Sequence, residues 1–154
     1  MSNAMKGRVV RRNLYGEKVD RTAAVLPATT TGHLFQVTGG KVVVTGLVGE
    51  VTTVCDSTAT TVKITSTPTT GTAVDLTSTT AVTSKEVGAL ITLPLTLGGA
   101  LNVQNAGAGE MPGAVQFVVP IGYIDCITSA TNAGAVKWSV TYVPLDEGAS
   151  IAAV

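Results

Sequence analysis

One histidine, two cysteines and ten acidic side chains are the groups from which this 154-residue chain could assemble an active site. His33 stands alone, so any nucleophile–histidine–acid triad would have to use it. No Gly-x-Ser-x-Gly elbow accompanies it, and no Ser or Cys sits in a recognisable nucleophile setting. The expected role of His33 is that of an ordinary side chain at the start of a strand. Cys55 and Cys126 lie far apart and flank no second ligand at metal-binding spacing. Two buried free thiols acting as small hydrophobes are expected, with a disulfide left open for a protein released from the cell. Asp146-Glu147 is the only adjacent acidic pair, and it follows Pro144 as a solvated turn would, with no Asp-rich calcium loop around it. Glu50, Glu86 and Glu110 could be offered as glycosidase carboxylates, but so could the acids of any chain with ten. Gly39-Gly40 and Gly98-Gly99 separate strand-like runs and open no helix, so neither forms a phosphate cradle. The chemistry-bearing residues therefore predict no catalytic residue, no metal ligand and no cofactor.

Two other sets could serve recognition. Trp138 and Tyr142 are four apart in a strand-like run and so share a face, either as a core pair or as an exposed aromatic platform. Core packing is the expected role. The second set is basic. Lys6 to Arg21 holds six of the ten basic residues against two acids, whereas four lysines face eight acids from Thr22 onward. A segment near +4 thus precedes a body near −4. Arg8, Arg11, Arg12, Lys18 and Arg21 are the candidate contact residues, for an acidic face of a neighbouring subunit in preference to nucleic acid.

The elements that must position these residues read as strands. Hydrophobic residues make up 45% of the chain and charged residues 13%, so the surface is short of charge and suited to burial against partners. Thr (25) and Val (23) dominate, both β-branched and at home on a pleated surface. Met1 to Ala4 precede a second Met and read as an expression-tag remnant. Residues 5–31 read as a basic, extended N-terminal arm and linker, ending in a Thr run after Pro27, and residues 32–154 as one β domain. Lys6 to Asp20 lacks the apolar core of a signal peptide, and no run approaches the ~18–20 apolar residues of a membrane helix, so no membrane association is expected.

Within the domain, His33–Thr38 and Lys41–Val48 flank the two-residue turn signal Gly39-Gly40. Gly46 and Gly49 are candidate bulge or bend positions before a further run over Glu50–Cys55. Thr61–Thr67 alternates cleanly, Val74–Val82 is ambiguous between strand and helical turn, and Lys85–Leu97 is interrupted by Pro94. Asn105–Gly113 reads as a loop. Val115–Val119, Gly122–Thr128 and Ala135–Val143 are the last strands, and Ser150–Val154 an apolar tail. About eight or nine short strands, with no sustained helix, predict an all-β fold: an antiparallel sandwich or jelly-roll-like barrel with an extended N-terminal arm.

Three stretches carry a resemblance. Phe35–Val42 (FQVTGGKV), Leu47–Thr53 (LVGEVTT) and Ala135–Ala149 (AVKWSVTYVPLDEGA) are similar to small β-rich virion proteins of tailed bacteriophages. The basic leader has no counterpart in that resemblance. The resemblance implies a non-enzymatic structural role, with head decoration or stabilisation the first choice. It also implies a homo-oligomer, with a trimer as first expectation, other virion proteins as partners, and residence in the host cytoplasm during assembly and then in the virion. The alternative is a receptor- or glycan-binding sandwich module of a tail fibre or bacterial surface protein. An exposed Trp138/Tyr142 pair would favour that alternative, and burial of the pair the structural role.

Overall fold

The alternating Val and Thr of the sequence become two antiparallel sheets packed over a shared core. The fold is taken from a computed structural model, which describes residues 6–111 and 116–154. The tag remnant and Val115, the expected start of one strand, lie outside the described residues. In chain order the elements begin α1 (Gly7–Tyr15), β1 (Glu17–Asp20), β2 (Ala24–Val25), β3 (Thr31–Thr38), β4 (Val42–Thr53), β5 (Thr61–Pro68) and β6 (Val74–Asp75). They continue as β7 (Thr80–Ala81), β8 (Leu90–Thr92), β9 (Asn102–Gln104), β10 (Phe117–Val119), β11 (Gly122–Thr128), β12 (Ala135–Pro144) and β13 (Ser150–Ala153). One sheet runs β1-β12-β4-β8-β9, with β10 on β4 and β2 on β12; the other runs β13-β3-β11-β5-β6, with β7 on β5. The architecture is the sandwich, not the barrel: neither sheet closes on itself.

Bulges keep the long strands facing the core. In β4 the side chains of Val42 and Val44 are buried, and so are those of Leu47 and Val51, which have the opposite parity. The switch occurs where Tyr142 pairs with Val44 but Thr141 with Gly46, leaving Thr45 as an extra residue. Without that insertion the second half of β4 would turn its apolar side to solvent. A similar step in β3 leaves Leu34 unpaired between His33 and Phe35, so that both Leu34 and Phe35 are buried.

Four sequence expectations are corrected. The Gly39-Gly40 turn is real, with φ of 78° and 149°, but it does not close a hairpin. β3 and β4 lie in different sheets, and the turn carries the chain across the sandwich beside the β12–β13 turn. The two crossings are tied together by Leu145 N–H to the Lys41 carbonyl and by Lys41 N–H to Asp146 Oδ2 (2.7 Å). Second, the runs before and after Gly49 are one continuous strand, β4. Gly49 is no bulge: it pairs with Trp138, and a Cβ there would stand 2.7 Å from the indole Cζ3. Gly49→Ala is therefore expected to destabilise the fold by about 1–3 kcal/mol through overpacking, read as a lower urea midpoint at unchanged slope; an unshifted midpoint would show the indole has room to move.

Third, the arm is not extended throughout, since Gly7–Tyr15 is helical. Fourth, the boundary expected at residues 31/32 falls too late. β1 is the edge strand on β12, β2 also pairs with β12, and Leu26 is buried. The Thr128 hydroxyl donates to the Pro27 carbonyl, and Leu26 N–H to Gly134 O, so residues 17–27 belong to the sandwich. Charge on a short edge strand such as Glu17-Lys18-Val19-Asp20 is the usual protection against stray pairing, and it disguises the strand in the sequence.

Candidate interaction surface

α1 is a two-and-a-half-turn helix that none of the described residues of its own chain covers. It begins after Lys6 without a side-chain cap, carries no acid in its first turn, and has no buried residue. Successive 100° steps place Val9, Val10 and Leu14 within an arc of about 140°, and Arg8, Arg11 and Arg12 on the other side. Val9, Val10 and Leu14 are 42%, 39% and 68% exposed. A helix this short is marginal in water, and an uncapped N-terminus with Arg8 beside it adds nothing favourable.

The root of the helix is fixed. Gly16 ends it with φ of 87°, its N–H bonded to the Arg12 carbonyl. A Cβ at Gly16 would collide with the Tyr142 carbonyl and stand 2.8 Å from Val143 Cγ2, so only glycine lets the chain pass this close to β12. The Thr45 hydroxyl donates to the Tyr15 carbonyl (2.6 Å), and Arg12 pairs with Glu17 at 2.6 Å. The helix thus leaves the sheet in a set direction with its apolar face exposed among the described residues.

The five candidate cationic residues separate. Lys18 pairs with Asp20 (2.9 Å), whose carboxylate also accepts from Ser139. Arg21 Nε donates to the carbonyl of Val154 (2.9 Å), joining the edge of one sheet to the end of the other. Both are spent within the chain, as is Arg12 on Glu17. Among the described residues, Arg8 and Arg11 make no ion pair.

Beside the helix root lies a row of three valines. Val43 pairs with Val143 on one side and Val118 on the other, and all three project from the outer face of the first sheet. Their neighbours along each strand, Val42, Val44, Phe117, Val119 and Tyr142, are the ones turned to the core. Val118 is 55% exposed and Val143 44%. The row ends at the β12–β13 turn, where Leu145 is also exposed and Asp146 and Glu147 follow. Farther along the same face a shallow groove of about 320 Å³ is lined by Lys18, Lys137, Glu50, Ser139, Thr141 and Met111. Its charges are of both signs, and Lys18 is already engaged by Asp20.

His33 and the aromatic pair serve the fold. His33 Nδ1 donates to Asp125 Oδ1 at 2.6 Å, and the Thr67 hydroxyl donates to Oδ2 at 2.7 Å. Asp125 is fully buried on the outer side of β11, between β3 and β5, and the His33 ring stacks on Tyr123 with centroids 4.0 Å apart. The pair resembles the base–orienter half of a triad, but among the described residues no hydroxyl or thiol is hydrogen-bonded to the outer nitrogen. What the imidazole does is satisfy a buried carboxylate. His33→Ala is expected to remove about 2 kcal/mol of stability by leaving that carboxylate to Thr67 alone; denaturant melts of the variant check this, and an unchanged midpoint would mean water replaces the ring without loss. Trp138 and Tyr142 do share a face, and it is the core face, with exposures of 2% and 6%. Cys55 and Cys126 are both free and buried; burial raises both thiols, that of Cys126 to about 12.

Four surface carboxylates titrate below their ordinary range. Asp56 is held down by the Ala133 N–H and then by Thr58, and Asp146 by the Lys41 N–H. Asp75 is held down by Lys63 and Thr65, and Asp20 by Ser139 and Lys18. A folded pKa below the unfolded value of about 3.9 gives stability that is present above that pH and lost as pH falls through the folded values. The melting temperature is therefore expected to fall below about pH 4, and Asp56→Asn to flatten part of that fall; a melting temperature that rises on acidification would contradict the assignment.

Comparison of the chain with protein-family models, with curated proteins and with solved structures finds no match. The valine row, the Gly16 contact and the His33–Asp125–Thr67 cluster each draw on separate strands, so no local signal in the sequence announces them. A partial signal existed for α1: Val9, Val10 and Leu14 are spaced for one helix face.

Proposed function

We propose that this chain is a non-enzymatic structural subunit that works by assembling with copies of itself, in a bacteriophage virion where it decorates or stabilises the head. The observation that carries the reading is α1, an amphipathic helix of fixed direction whose apolar face is left exposed among the described residues. The residues with chemical potential support it, because His33 is occupied by Asp125 and both thiols are buried. The virion setting rests on the resemblance of the three stretches described above. In this reading the partners are other copies, with a trimer as the first expectation, together with neighbouring virion proteins, and the protein passes from host cytoplasm to particle.

The glycan-binding alternative depended on an exposed aromatic pair, and Trp138 and Tyr142 are in the core. Association stabilises the folded state by mass action, so the melting temperature of an assembling subunit rises with protein concentration. A rise over a hundredfold range is expected. A melting temperature independent of concentration would overturn the proposal.

A further inference from the structure

The geometry points to a specific docking partner for α1: the Val43–Val118–Val143 row of a second copy of this chain, with Arg8 and Arg11 against the Asp146–Glu147 turn at the end of that row. This inference rests on the self-assembly reading and gives it an address.

The two surfaces match in chemistry. α1 offers three exposed aliphatic side chains flanked by two arginines without ion-pair partners among the described residues. The row offers three outward valines in adjacent strands, followed within four residues of Val143 by two carboxylates. Asp146 is shared with Lys41, while Glu147 makes no ion pair among the described residues. An apolar centre with charges at its rim is the usual anatomy of a protein interface, the apolar part giving affinity and the charges giving register and encounter rate.

The two surfaces also match in position. α1 is rooted at Gly16, in contact with Val143, so helix and row lie side by side on each copy. A helix of nine residues reaches about 14 Å. A copy whose row receives the helix must therefore bring its own helix root close by, and closed symmetric association lets every copy give and receive at once. Docking in trans also answers two otherwise separate needs. It gives an uncapped, marginal helix a surface to fold against, and it removes an outward apolar row of the first sheet from water.

The test is cross-linking between two differently labelled copies of the full chain. Val10→Cys is prepared at natural isotope abundance and Val118→Cys with nitrogen-15; both positions are exposed, and the native Cys55 and Cys126 are buried. The two are mixed, allowed to exchange, and treated with a short bis-maleimide, while light scattering on the same sample reports the mass in solution. The expected product is a cross-linked species of one light and one heavy chain, joined through positions 10 and 118 and at least tenfold above the level in mixtures with the parent protein. An oligomer that yields no such product overturns the docking site and leaves the self-assembly reading standing. A sample that is monomeric at every concentration overturns both.

Discussion

Under the self-assembly proposed above, removal of residues 1–15 is expected to leave a folded sandwich and to weaken its self-association by on the order of a hundredfold, about 3 kcal/mol. The fold survives because nothing N-terminal to Gly16 among the described residues is buried in the core. The losses within the chain include the Thr45–Tyr15 hydrogen bond and the exposed Arg12–Glu17 pair, the second worth a few tenths of a kcal/mol at most. The loss between chains is larger, because a few apolar anchors at the centre of a contact dominate its energy. Circular dichroism checks the fold and sedimentation velocity the association. Cutting at residue 26 instead should unfold the protein, since it strips β1 from β12 and removes the buried Leu26. An association unchanged by the shorter deletion would place the contact elsewhere on the sandwich.

Trp138→Ala is the substitution expected to destabilise the chain most, by about 3–5 kcal/mol, through loss of a buried indole and the cavity left over Gly49. For a domain of this size that is a fall in melting temperature of about 10 °C. The marginal stability of most domains, roughly 5–15 kcal/mol, makes this a large share of the total. The result also separates the two functional readings. A ring that anchors the core changes the melt and leaves any surface binding to follow stability alone. Near-native melting together with loss of sugar binding would instead restore the glycan-module reading, and would contradict the burial of the indole.

Long, alternating segments were legible in the sequence. β5, β11 and β12 fall within a residue of where the pattern puts them, because a half-buried strand of seven to ten residues writes its two faces into the chain. β10 lies inside the run expected over Val115–Val119, but the pairs and triplets β2, β6, β7, β8 and β9 were not separable, since two or three residues show no period. β1 was hidden by the charges that protect an edge, and α1 by its brevity and lack of a cap. The Gly39-Gly40 turn marks a different limit. A turn signal fixes local backbone geometry, but whether the flanking strands pair or part into two sheets is decided by the β12–β13 crossing more than a hundred residues away. The candidate surface was legible in charge and not in shape. The basic cluster marks the arm, but only the β12-β4-β10 register brings Val143, Val43 and Val118 into one row. Nor did the charge pattern reveal that Lys18 and Arg21 are occupied within their own chain.

The most direct measurement is the mass of the intact chain in solution, by light scattering across a wide range of concentration. A structural subunit that assembles through α1 gives a defined multiple of the 15.6 kDa chain, dissociating on dilution. A mass of one chain at every concentration would contradict self-assembly as the function of this fold.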